Sequence, residues 1–125
     1  MDNRPIGLFD SGIGGISILD KLKELLPNEN FIFLADNKNC PYGYRSKKEI
    51  ISLSTKNCEK LIELNCKAIV VACNTATTNA IEKLRGIIGI PIIGIEPGIK
   101  PAISYTKTKN IGILATEKTL NSKLF

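Results

Sequence analysis

The chain has 125 residues, 43% of them hydrophobic and 23% charged, with a formal net charge of +5; that is enough for one core, and its apolar runs stop short of a membrane span of about 20 residues. Its lysines and arginines are spread over the whole length, densest at Arg45, Lys47 and Lys48, with three tyrosines and no tryptophan, so the clustered basic stripe and stacking aromatics of a nucleic-acid footprint are not expected. Four cysteines without a C-x-x-C pair, and no histidine, argue against a zinc site and a disulfide scaffold and leave Cys, Asp, Glu, Lys and Tyr as the available general acids or bases.

The opening MDNRPIGLFD lacks the pattern of a secretory signal, so a cytoplasmic location is expected. The run PIGLF reads as a buried strand that enters the glycine-rich turn FDSGIGGIS, and GISILDKLKELL reads as the first helix. Gly12 and Gly14 fill two positions of a dinucleotide fingerprint, but Ser17 stands at the third. Asp10 would also face any pyrophosphate on that helix N-terminus, and a ligand with its own cationic group suits it better.

FIFLA reads as the second strand, followed by DNKNCPYGYRS, a loop long for an α/β unit, in which Pro41, Tyr42 and Gly43 make a tight turn that can serve as a lid. SKKEIISLSTKNCEKLIEL reads as the second helix, opened by a capping box of Ser46 and Glu49. AIVVA is the third strand, TATTNAIEKLR a helix starting near Thr75, PIIGI the fourth strand, NIGILA a fifth and TEKTLNSKLF a closing helix. This alternation predicts an α/β fold, a mostly parallel sheet with helices on both faces. Pro91, Pro97 and Pro101 punctuate a stretch where one lobe could end.

Ligands of such sheets bind outside the carboxyl ends of the strands, which singles out Asp10 and Ser11, the loop after Ala35, the Cys73-Asn74-Thr75 stretch, and Thr116. A free cysteine is most often an inert core thiol, and Cys58 and Cys66, within or just after a helix, keep that reading. Cys73 ends a strand before a helix N-terminus, a placement expected to favour thiolate. Asp10 has two open readings, as a cap of the following helix or as a ligand contact. A phosphatase loop would need arginine where Asn79 stands, and an aspartyl-phosphate site on Asp10 would need an acidic residue where Gly12 stands. What remains is an acceptor carboxylate, hydroxyls, amides, helix-terminal N–H groups and one thiol, which are parts for holding a zwitterion and moving a proton.

The segments PIGLFDSGIGGISIL, DNKNCPYGYRSKKEI, VVACNTATTNAIEKLR, PIIGIEP and NIGILAT resemble, in order and spacing, the N-terminal half of glutamate racemases. The related aspartate racemases share a CNT-like strand end, but the FDSGIGG and PYG segments resemble the glutamate enzymes. The resemblance implies racemisation of free glutamate without pyridoxal phosphate, other cofactor or metal, supplying the D-isomer for peptidoglycan. It implies that Cys73 is one of two cysteines flanking the α-carbon, that Asp10 and Ser11 hold the head group, that Tyr42, Gly43, Asn74 and Thr75 complete the substrate site, and that Thr116 is a weaker candidate for the side-chain carboxylate. Those enzymes are about twice as long and carry the second cysteine in a C-terminal CTH-type motif; Cys40, Cys58 and Cys66 have no matching context. Residues 1–97 are then expected to form a first lobe with an incompletely covered sheet and 98–125 to begin a second, and this chain alone is expected to racemise very slowly. Other readings are a half-site that binds acidic amino acids without catalysis, an aspartate racemase-like protein, a homodimer with two Cys73 residues across a shared cleft, and, motivated only by the +5 charge, binding to nucleic acid or gyrase; nucleic acid and membrane are not the expected partners.

Overall fold

The computed structural model describes residues 2–125. Four strands, β1 (Ile6–Asp10), β2 (Phe31–Ala35), β3 (Ala68–Val71) and β4 (Ile92–Gly94), form one parallel sheet in the order β2-β1-β3-β4. Helices α1 (Ile16–Leu25), α2 (Lys47–Glu63), α3 (Asn74–Ile87), α4 (Ile99–Tyr105) and α5 (Glu117–Leu120), with a 3-10 turn at Tyr42–Tyr44, complete the chain. The expected α/β class is therefore what the chain adopts.

Register decides which face each strand residue serves. Gly7, Ile69 and Ile92 lie in one row, and Phe9, Val71 and Gly94 in the next but one. This face packs on α2 and α3: a methyl on Gly7 would lie 3.0 Å from Cys66 Sγ and from Leu61, and one on Gly94 would lie 2.6 Å from Thr77. The core gathers Phe9, Tyr42, Ile50, Leu61, Ile69, Val71, Ile81 and Leu84. The expected capping box holds α2 in place, with Glu49 N–H donating to Ser46 Oγ at 3.2 Å and Ser46 N–H to Glu49 Oε2 at 2.8 Å.

The opposite face is served by α1, whose first turn sits so near the sheet that a methyl on Gly15 would lie 2.9 Å from both Asp10 and Phe33. No residue of α1 is fully buried, and Ile93, on that face of β4, is 54% exposed. Cover on this side is thin.

One expected element did not form. The segment NIGILA has no strand partner among the described residues, and Leu114 within it is fully exposed. A strand needs a neighbouring edge to take its N–H and C=O groups, and the edge strand β4, only three residues long, is not paired with it. The closing helix is likewise one turn rather than the whole of TEKTLNSKLF, yet it docks firmly, with Thr119 1% exposed.

Among the described residues, no helix is long and apolar enough to cross a membrane.

Candidate active site

The neighbouring strands β1 and β3 send their chains to opposite faces of the sheet, into α1 and α3 respectively. A crevice opens outside the carboxyl ends of strands at such a switch point, and small ligands settle there. Asp10 is the last residue of β1 and Cys73 lies two residues beyond β3. The sheet thus brings together side chains 63 positions apart.

Asp10 braces the turn rather than capping the helix, since α1 begins at Ile16 with Gly15 at its N-cap and has no side-chain cap. Its Oδ2 accepts from Gly15 N–H at 3.1 Å and from Gly12 N–H at 3.3 Å, closing the glycine-rich turn ahead of α1. Gly15 is where the chain needs a missing Cβ, since it is pressed between Asp10, Phe33 and Ala72. These bonds use one carboxylate oxygen and leave Oδ1 for another donor, so bracing the turn is compatible with a ligand contact.

Cys73 is the N-cap of α3 and accepts from Ala76 N–H at 3.4 Å, while its thiol lies 3.5 Å from Ser11 Oγ, to which it donates. The residue is 5% exposed. Its pKa corrects the expectation of a favoured thiolate: burial pushes the thiol above its ordinary value and the Asp10 charge adds to that, while hydrogen bonding with Ser11 and with the Ala76 N–H offsets only part. A helix N-terminus stabilises a nearby anion by about a kcal/mol, whereas removing a thiolate from water costs more.

Tyr42 lies fully buried, with its hydroxyl donating to Asp36 Oδ2 at 2.5 Å and accepting from Asn57 Nδ2 at 2.9 Å. Burial and then the Asp36 carboxylate push its ionisation far above the usual phenol range. Tyr42 is enclosed whole, backbone included, which corrects the expectation that it contacts the substrate; of this pair only Gly43, itself buried, has a backbone N–H at the start of the turn without an intrahelical acceptor. Gly43 abuts Thr116, whose Cγ2 would be 2.9 Å from a methyl on that glycine. Asn74 is exposed at the first turn of α3.

Thr75, Thr116 and Thr119 form a triangle of hydroxyls with oxygens 2.9, 3.0 and 3.2 Å apart. A cavity of about 240 Å³ opens beside it, lined by Asn74, Thr75, Pro97, Leu114, Thr116 and Thr119, though not by Asp10 or Cys73. Thr119, Asp36 and Asn57 were not singled out by sequence. Asp36 carries the same strand-end signal as Asp10, and Thr119 follows Thr116 at capping distance; Asn57 is an ordinary polar residue within a helix and gives no signal.

Cys58 and Cys66 are buried, and burial pushes both thiols up, Cys58 to about 12. Cys40 is exposed, its sulfur 3.4 Å from where a methyl on Gly12 would be.

The chain is a parallel α/β sheet with an acid, a hydroxyl and a thiol gathered where its strand order reverses, the place where open sheets of this class bind their ligands. Residues 6–125 match the model of the Asp/Glu/hydantoin racemase family, and the chain belongs to that family. It is 51% identical over 125 residues to a glutamate racemase of Herpetosiphon aurantiacus, covering 100% of this chain and 49% of that protein. With a glutamate racemase of Clostridium botulinum it shares 52% identity over 124 residues, 98% of this chain and 48% of the relative. Among solved structures, Escherichia coli glutamate racemase in complex with L-glutamate and the activator UDP-MurNAc-Ala superposes with a TM-score of 0.89 at 38% identity, covering 96% of this chain and 46% of that one. The Aquifex pyrophilus glutamate racemase gives 0.85 at 39% identity, covering 93% and 46%. This chain thus spans about half the length of the relatives it matches.

Proposed function

We propose that these residues form one half of a cofactor-independent glutamate racemase site, in which Cys73 exchanges a proton with the α-carbon of glutamate. The observation that carries the reading is the junction of Cys73 with Ser11 and Asp10 across β1 and β3. In the proposed step the thiolate takes the α-proton, the C–H electron pair stays on the substrate and delocalises into its carboxylate, and Cys73 becomes a thiol. Asp10 Oδ1 and the Ser11 hydroxyl hold the ammonium group. The Gly43 backbone, with Asn74, Thr75 and Thr116, receives the carboxylates. Return of a proton to the opposite face needs a second acid; Cys58 and Cys66 are enclosed in the core and cannot supply it. With residues 1–97 taken as a first lobe and 98–125 as the beginning of another, the reading implies a cytoplasmic supply of D-glutamate for peptidoglycan by the whole enzyme.

A carbanion beside a carboxylate requires a dry, preorganised enclosure, so this half-site should turn over far below the ordinary enzyme range of about 1–1000 per second. A second reading, binding of acidic amino acids without catalysis, is favoured by the raised Cys73 thiol. Incubation with L-glutamate in deuterium oxide separates the two. Slow α-deuterium incorporation that disappears in Cys73→Ala, with little change in optical rotation, supports proton transfer by Cys73. Binding by calorimetry without incorporation supports the second reading, no binding refutes both, and ordinary turnover places a second base among these residues.

A further inference from the structure

The proposed site uses the backbone at Gly43, and the side chain of the preceding Tyr42 lies inside the protein, where it makes a set of polar contacts that the proposed function does not use. Asp36 Oδ2 accepts from the Tyr42 hydroxyl at 2.5 Å and from Asn57 Nδ2 at 3.4 Å, and that same amide donates to the Tyr42 oxygen at 2.9 Å. Asp36 Oδ1 accepts from Asn39 Nδ2 at 2.8 Å, and Arg45 Nε donates to the carbonyl of Asn39 at 2.8 Å. The loop is therefore held before, within and after the Tyr42–Tyr44 turn. Its anchors are the end of β2, through Asp36, and the middle of α2, through Asn57.

We infer that Asp36 and Asn57 are positioning residues for the candidate site. They fix the ring of Tyr42, and the ring fixes the adjoining Gly43 backbone against Thr116 and the start of α3. Neither residue needs to touch a ligand. A phenylalanine would fill the Tyr42 volume equally well, so the hydroxyl contributes orientation rather than bulk: a buried polar network with every member satisfied selects one arrangement among several that an apolar core would tolerate. Asn57 is 8% exposed and Tyr42 fully buried, so the bond between them is sheltered from competing water, while Asp36 at the loop end is half-buried. The Gly43 contact transmits it, because there is no slack between that glycine and Thr116.

The inference rests on the reading of a glutamate-binding site given above, and the test separates the two. Calorimetric titration with D-glutamate is made on the unaltered chain, Tyr42→Phe, Asn57→Leu and the double variant, at a temperature where circular dichroism shows each to be folded. Loss of one buried hydrogen bond to a charged group corresponds to about tenfold or more in affinity when its effect reaches the ligand. Each single variant is expected to bind about tenfold more weakly or worse, and the double variant to lose much less than the product of the two, because both changes break one network. A purely structural role would lower the unfolding midpoint and leave the dissociation constant of the folded protein unchanged. Affinities within about twofold of the unaltered chain overturn the inference while sparing the site, as do multiplicative losses, which would mean direct contact by the Tyr42 hydroxyl. Failure of the unaltered chain to bind refutes the site reading and the inference with it. If Asn57→Leu does not fold, Asn57→Ser replaces it in the same cycle.

Discussion

Replacing Gly43 by alanine puts a methyl 2.9 Å from Thr116 Cγ2 and 3.0 Å from its Cβ. Thr116 cannot simply rotate aside, because its hydroxyl caps α5 by accepting from Thr119 N–H at 3.3 Å and meets Thr75 at 2.9 Å. The strain must then be taken up by moving the loop or α5, and overpacking of this kind costs about 1–3 kcal/mol. An unfolding entropy of about 2.1 cal/mol/K per residue makes 1 kcal/mol worth about 4 °C for a chain of this size. Thermal unfolding of Gly43→Ala should accordingly shift down by about 4–12 °C. Thr116→Ser removes the nearer methyl, so in the double variant part of the loss should return. Effects of the two substitutions that add within about 0.5 kcal/mol would refute the packing of residue 43 on residue 116, and with it the route from the Tyr42 loop to the hydroxyl triangle.

Two further outcomes follow from the buried thiols. In a Cys40→Ser background, alkylation of Cys73 by iodoacetamide, followed by peptide mass spectrometry, should be slow at neutral pH and still climb beyond pH 9.0, the ordinary thiol value, because burial raises this pKa; a plateau below that pH would show that the helix N-terminus outweighs burial. Conformational stability should also fall in alkali: above pH 9.0 an unfolded chain releases thiol protons that the folded chain retains, Cys58 up to about pH 12. The sign is a loss of about 1.4 kcal/mol per pH unit for each such thiol, and Cys58→Ala should make the decline of the urea midpoint shallower, whereas an unchanged slope would mean that Cys58 ionises freely in the folded protein.

Where each element of the sheet runs was legible wherever local pattern and local chemistry agree. The four strands are short apolar runs bounded by turn residues, and Ser46 with Glu49 marks the start of α2 from composition alone. NIGILA shows the limit of such patterns: its residues suit a strand, but a strand exists only against a partner, and the sequence of a segment says nothing about which edges are available. The same limit applies to Cys73, where sequence correctly sets the thiol at a strand end before a helix yet cannot weigh helix dipole against burial.

The order of residue types thus determined by itself the α/β class, the strand-end addresses of Asp10 and Cys73, and the glycines at tight turns, because each depends on periodicity or on backbone sterics within a few residues. Only the tertiary structure decided that Cys73 meets Ser11, that Tyr42 turns inward to Asp36 and Asn57, and that Thr116 and Thr119 return to Thr75 and Gly43. Those contacts join residues 6 to 73 positions apart, and strand order together with the docking of α5, rather than any local preference, brings them within reach.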